Sequence, residues 1–371
     1  MSHLFRSEQL ANEANGYADR MPVTQRWQPS SDELPRDPWN TRLYSLLMLI
    51  VFALSASITG QKPAINKETQ ATNLPVVIWK DPGDIHSLNL IYGAGGKEDT
   101  PNLNGPFTFV KEDLEATSAK FDVKDDHGVE WRVKLGEEPQ TETAATRFVW
   151  AAGYFVDEDY YLPELKVTAL PKLQRGEQFV SQDGMVHRAR LERRLKDVKK
   201  LGSWDWFDNP FRDTQEFNGL RVMMALLNNW DLSTANNSID AIDAERRFVV
   251  GDLGATFGNT GNNFTRSKSV PTDYAAATFI EKATPDFVDF VLHSRPFFLS
   301  VINVPNYRNR TRMERVTKHI PHADAAWLGH RLAMLSDEQI RDGFRAAGYA
   351  PEEIEMYTQT MRKRIADLDA L

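Results

Sequence analysis

The sequence predicts a mixed α+β protein in which a small strand-rich lobe precedes a helical lobe. Three observations predict it. From Pro106 to about Arg194 apolar and polar residues alternate, the period-two pattern of strands with one covered face. From Thr214 apolar residues recur at three- and four-residue spacing, as in Phe217, Leu220, Met224 and Leu227, which is a helix period. After that helix two short stretches, NNWDLSTANNS and VVGDLGATFG, gather carboxylates and amides with no Lys or Arg, a set suited to a hard cation.

Composition narrows the function classes. The chain has 371 residues, enough for one large or two ordinary domains, and its 41% hydrophobic residues with 9 Trp and 20 Phe can build a core. A net charge of -8 argues against general nucleic-acid binding, which needs a basic face. Cysteine is absent, so disulfides, thiol nucleophiles and Cys-zinc sites are excluded together. Catalysis must use oxygen and nitrogen groups.

Residues 1–42 are polar and lack a periodic apolar face, and are expected to be disordered. Residues 43–60, LYSLLMLIVFALSASITG, form an uncharged apolar run that reads as a signal anchor or signal peptide. Basic residues are balanced on its two sides, so orientation stays open. The expectation is a membrane-anchored or exported protein, attached through residues 43–60, with the extracytoplasmic side preferred. Residues 61–104 read as a linker with a short strand at LPVVIW. GAGGK within it lacks P-loop spacing and reads as a flexible loop.

The strand region begins with PFTFVKED, continues through LEATSAK, and reaches FDVKDDHGVEWRVKL. Asp125 to Gly128 make a hairpin turn. On the second arm Val129, Trp131 and Val133 share one face, leaving Glu130, Arg132 and Lys134 on the other. A helix follows, with Thr141 as its cap and Ala145, Phe148, Val149 and Ala152 as its buried stripe. Glu142 falls in its first turn, where it can meet Lys134. Further strands are LPELKVTAL and MVHRARLERR, and the basic run from Arg188 to Lys200 reads as a solvated face.

The helix from about Thr214 to Asn229 starts at an Asp213/Glu216 capping box and ends at the first acidic stretch. A hairpin turning at Asp243 to Glu245 brings VVGDLG back, placing Asp231, Asn236 and Asp252 near one another.

This ordered series resembles the protein-kinase-like fold, more the divergent branch of HipA-type and phosphatidylinositol kinases than ordinary Ser/Thr kinases, over about Gly105 to Leu368. The resemblance implies a β-rich N-lobe over 105–195 and a helical C-lobe over 196–371, with ATP and Mg2+ bound between them. It implies that Lys134 holds the nucleotide phosphates with Glu142 as partner, that Asp231 is the catalytic aspartate, and that Asn236 and Asp252 bind metal. Thr117, Ser118 and Lys120 of LEATSAK would contact the phosphates in place of the family's glycines. Three features depart from the pattern. That loop lacks glycine, Arg132 stands where a small apolar residue lies under the base, and Trp230 rather than an H-R pair precedes Asp231.

Beyond Asp273 the chain reads helical, in TDYAAATFIEKATPDFVDFVLH, in LSDEQIRDGFRAAG with a Ser336/Gln339 capping box, and in PEEIEMYTQTMRKRIADL with Ile354, Tyr357, Met361 and Ile365 on one face. His319, His322, Asp324 and His330 lack a known zinc spacing and read as turn and helix-start residues. The expected function is an ATP-dependent kinase-like phosphotransferase acting on a protein, lipid or sugar hydroxyl. The alternative is an inactive pseudokinase acting as a membrane-tethered scaffold, and a metal-dependent hydrolase built on the histidines is a weaker third.

Overall fold

The computed structural model describes residues 73–115, 118–260, 266–292, 301 and 303–371. All lie in the second of the two units into which the chain divides, Ile65–Leu371. The expected disordered region and the apolar run of residues 43–60 fall outside them.

Among the described residues no helix is long and apolar enough to cross a membrane, against the expectation of a membrane-anchored or exported protein.

Strand β1 (Val76–Val77) opens the described chain. Behind it Gly93, at φ +69, turns the GAGG stretch tightly onto the Arg147 side chain, where a Cβ would lie 2.5 Å from Nη1. Gly93–Gly95 is therefore a packed turn rather than a free loop, with Lys97 at the surface. Strands β2 (Phe107–Asp113), β3 (Lys120–Lys124) and β4 (Glu130–Leu135) form a meander. Helix α1 (Glu138–Ala151) and strand β5 (Phe155–Val156) follow. Strands β6 (Asp159–Thr168) and β7 (Met185–Arg193) then close a barrel in the order β2-β3-β4-β7-β6.

Phe121, Val123, Trp131, Val133 and Leu191 fill the barrel, as the alternation requires. Their neighbours in sequence, including Lys134 and Arg132, therefore stand on its outside. Helix α1 begins at Glu138, with Pro139 in its first turn. Thr141 is thus not the cap. It is buried, its hydroxyl 2.6 Å from that of Thr256.

The second half starts with β8 (Lys199–Gly202) and helix α2 (Gln215–Leu226). Thr214 caps α2 by accepting from the Phe217 N–H, whereas Asp213 sits outside at φ 70 and forms no capping box. Strands β9 (Asn237–Ile242) and β10 (Glu245–Val250) are joined through Asp243 and Ala244, both at positive φ, the geometry of a two-residue hairpin loop. Strands β1 and β5 both add to β10 in parallel, tying the start of the described chain and the end of α1 to this hairpin.

After helix α3 (Pro271–Ala276) the expected helix gives way to a hairpin of β11 (Ile280–Ala283) and β12 (Phe287–Phe290). Phe287, Val288 and Phe290 fit either period, but Pro285 interrupts the helix and these β-formers then pair as a strand. Helix α4 (Val304–Glu314), β13 (Ile320–Pro321), α5 (His322–Ala333), α6 (Asp337–Arg345) and α7 (Pro351–Asp369) complete the chain. The Ser336/Gln339 capping box forms, and Ile354, Tyr357, Met361 and Ile365 are buried on one face of α7. The architecture is mixed α+β.

Candidate functional site

Lys134 lies on β4 directly opposite Arg190 of β7, so both side chains leave the same outer face of the barrel. Helix α1 runs against that face. Its Glu138 and Glu142 are one turn apart and point the same way. Lys134 Nζ donates to Glu142 Oε2 at 2.9 Å and pairs with Glu138 Oε2 at 2.8 Å. Its third partner comes from far along the chain, Asp252 Oδ1 at 2.7 Å. The ammonium is 1% exposed, and its three donors meet three carboxylates.

Buried charge is tolerated when it is paired and hydrogen-bonded. Arg190 supplies the remaining pairing, since its guanidinium contacts the other oxygen of Glu142, Asp159 Oδ2 at 3.3 Å and Glu192 Oε2 at 2.7 Å. Burial works against the Lys134 charge, but the nearby Glu142 and Asp252 carboxylates outweigh it and hold the amine protonated. For Glu138 burial pushes upward, while the Lys134 charge and hydrogen bonds to Lys134 and Lys268 bring the carboxyl down to about 2. Glu138 also meets Lys268 Nζ at 2.7 Å, and so bridges two lysines.

The acidic loops are built by side chains that cap free backbone ends. Asn228, at φ 54, ends the turn after α2. Its amide donates to the Gly258 carbonyl at 2.7 Å, and its oxygen accepts from buried Arg364 of α7 at 2.8 Å. Asn229 Oδ1 accepts the Asp231 N–H at 3.1 Å. Asn236 Nδ2 donates back to the Asp231 carbonyl at 2.9 Å, closing the loop. The Gly251 N–H donates to the Asn236 carbonyl at 3.0 Å. A Cβ on Gly251 would stand 2.8 Å from that same oxygen, so glycine is what lets the two segments touch. Asp252 follows at φ 48.

Lys134, Glu142 and Asp252 are thus in direct contact. Asp231 and Asn236 are bonded to each other and, through Gly251, to the residue before Asp252. Burial first and the Asp252 charge second push the Asp231 carboxyl above its ordinary range, while Arg310 of α4 pulls it back. Lys120 stands opposite Lys134 across the β3–β4 pair. Ser118 precedes it in the connection from β2, and no hydrogen bond ties either to the Lys134 cluster among the described residues. Thr117 lies outside the described residues.

Two members of the cluster escaped the sequence. Glu138 was discoverable as the residue four after Lys134 and four before Glu142. Arg190 was hidden inside the basic run read as a solvated face, and that reading is wrong for it, because Arg190 is 2% exposed. Arg132, the expected departure, is engaged by Asp122 at 3.0 Å and Asp113 at 3.2 Å. The histidine group does not assemble. His319 stacks on Phe287, Asp324 accepts from Asn218 and His330 pairs with Asp369. Among the described residues no cluster of three His, Cys, Asp or Glu is placed to hold a metal.

No protein-family model and no curated protein matches the chain. Among solved structures it is similar to the Helicobacter pylori proinflammatory kinase CtkA, at 12% identity over 72% of this chain and 99% of that one, with a TM-score of 0.33. It is also similar to amicoumacin kinase hAmiN, solved with AMP-PNP, Ca2+ and Ami, at 12% identity over 70% of this chain and 88% of that one, with a TM-score of 0.22. Both neighbours are kinases, at low identity and low TM-score.

Proposed function

We propose that the chain is a kinase-like phosphotransferase that binds ATP with Mg2+ at Lys134 and passes the γ-phosphoryl group to a hydroxyl of a protein, lipid or sugar. The observation that carries this reading is the position of Lys134 Nζ, 2.9 Å from Glu142 and 2.7 Å from Asp252. One point gathers a barrel strand, the adjoining helix and the D-L-G turn.

The residues present fit the ligands. Phosphoryl transfer places charge on non-bridging oxygens, so a buried cation and hard oxygen donors are what the chemistry requires. Asn236 Nδ2 is engaged by the Asp231 carbonyl, which leaves its Oδ1 to a cation. Asp252 is half-exposed and has a second oxygen beyond the one on Lys134. Mg2+ held there would neutralise charge on the β- and γ-phosphates. Because all three Lys134 donors are taken by carboxylates, nucleotide entry requires Asp252 to turn from the ammonium toward the cation. Glu142, clamped by Arg190, keeps the lysine aimed meanwhile. Asp231, with its raised proton affinity, receives the acceptor proton as the acceptor oxygen bonds to the γ phosphorus and the bond to the β-γ bridging oxygen breaks.

A second reading, a non-catalytic nucleotide-binding or scaffold module, is favoured by Arg132, whose ion pairs with Asp113 and Asp122 occupy the place of the small apolar residue expected under the base. Transfer of label from γ-labelled ATP separates the two. Wild type should transfer with Mg2+, and Asp231→Asn should lose transfer while still binding nucleotide. An unchanged rate in Asp231→Asn removes the role given to that residue, and binding without transfer in wild type supports the scaffold.

A further inference from the structure

A cavity of about 400 Å³ adjoins the Lys134 cluster through Glu192, the partner of Arg190, but Lys134, Asp231, Asn236 and Asp252 are all absent from its lining. Its apolar walls come from Trp150 and Tyr154 at the end of α1, Phe155 on β5, Leu195 and Val198 between β7 and β8, and Val249 on β10. A space of this size, with an aromatic wall facing a rim of charged side chains, suits a small organic molecule that carries a polar group.

Each charged group on the lining has an ion-pair partner among its neighbours, with one exception, although Asp240 keeps its Oδ1 buried and unbonded. Lys200 pairs with Asp240 at 3.0 Å, Arg194 with Glu192 at 3.2 Å, Arg193 with Glu158 at 3.5 Å and Lys80 with Glu245 at 2.7 Å. Asp81 pairs with Arg331 and Arg247 with Asp243, each at 2.7 Å. Asp157 is the exception. Among the described residues its carboxyl has no hydrogen-bond or ion-pair partner. Burial first, then the neighbouring Glu192 charge, push it up to about 7 against the pull of Lys200 and Arg190.

The position of Asp157 is set by the backbone. It follows β5, which pairs with β10, and precedes β6 by two residues. A Cβ on Gly251 would come 3.2 Å from Asp157 Oδ2, so the carboxyl lies against the backbone just before Asp252. Asp157 is half-buried and feels Lys200 and Arg190 only at a distance, and a ligand that brings a cation into direct contact with it gains a charge-assisted hydrogen bond.

We propose that this cavity is a binding site for a small organic cation, a primary amine or amidinium on a compact aromatic body, with its charge against Asp157 and its ring against the Trp150 and Phe155 walls. Its remaining lining explains the choice. The basic side chains are already paired, so an anion meets an uncompensated negative group. One free carboxylate is too few for a metal site. A neutral apolar ligand leaves Asp157 without a direct partner, whereas an aromatic cation satisfies both the carboxyl and the aromatic walls.

The test uses the full chain with phenethylamine and benzamidine as probes, and 2-phenylethanol and phenylacetate as uncharged and anionic controls, followed by calorimetry and thermal shift. At least one amine or amidine probe should bind at millimolar concentration or better, at least about tenfold more tightly than either control. Asp157→Asn should lose that preference while its response to ATP and Mg2+ stays as in wild type. The comparison of probes with controls in wild type stands even if the variant folds poorly. Equal binding of 2-phenylethanol, no binding of either cation, or an amine preference retained in a folded Asp157→Asn overturns the proposal.

Discussion

Lys134 Nζ stands 2.7 Å from Asp252 Oδ1, although 118 residues separate them in the chain. This pair ties the barrel to the D-L-G turn, and it lies at the middle of a charge network that continues through Glu142 to Arg190. Breaking a buried pair strands its partner, so the network makes the site and the stability of the fold interdependent.

Replacing Lys134 by Met should therefore do two things. Removing the cation leaves Glu138, Glu142 and Asp252 facing one another, with Arg190 compensating Glu142 and Lys268 compensating Glu138, so that Asp252 is left uncompensated. A loss of about 3 kcal/mol or more in unfolding free energy is expected, read by denaturant titration, together with loss of any nucleotide response. A change within about 0.5 kcal/mol would mean the ammonium is not buried among the three carboxylates.

Arg190 is predicted to be a positioning residue. Arg190→Met removes the second partner of Glu142 and should lower both stability and phosphoryl transfer. Arg190→Lys restores charge without the fork that reaches Glu142, Asp159 and Glu192, so its rescue should be partial. Full rescue by lysine would show that charge alone is needed there.

Glu138 sets a pH dependence. Its carboxyl is lowered from 4.5 to about 2 in the folded chain, so the unfolded state binds the proton more readily. Its contribution is then fully present above about pH 4.5 and is lost as pH falls through about 2. The difference in melting temperature between wild type and Glu138→Gln should be largest near neutrality and shrink across that window. A difference that grows on acidification contradicts the pairing of Glu138 with Lys134 and Lys268.

How legible the molecule was in its sequence differs from element to element. The α+β class, the hairpin at Asp125 to Gly128, the Ser336 capping box and the buried face of α7 followed from period and turn chemistry. So did the meeting of Lys134 with Glu142, because strand alternation and helix start fix both directions. The β11–β12 hairpin did not, since its apolar residues fit both periods and Pro285 decides between them. Arg190 was misread because a run of basic residues carries no sign of which alternate members face inward. Its burial depends on β7 lying beside β4, a long-range pairing with no local signature. Thr141 failed as a cap because Pro139 allows the helix to start earlier.

The most direct measurement is the thermal unfolding of the full chain with and without ATP and Mg2+, in wild type and in Asp252→Ala. Binding at about 100 times the dissociation constant stabilises by about 2.7 kcal/mol, or on the order of 5 °C for a domain of this size. Wild type should show such a rise, dependent on Mg2+, and Asp252→Ala should show none relative to its own baseline. No rise in wild type, or an equal rise in the variant, would contradict a nucleotide site built on Lys134 and Asp252.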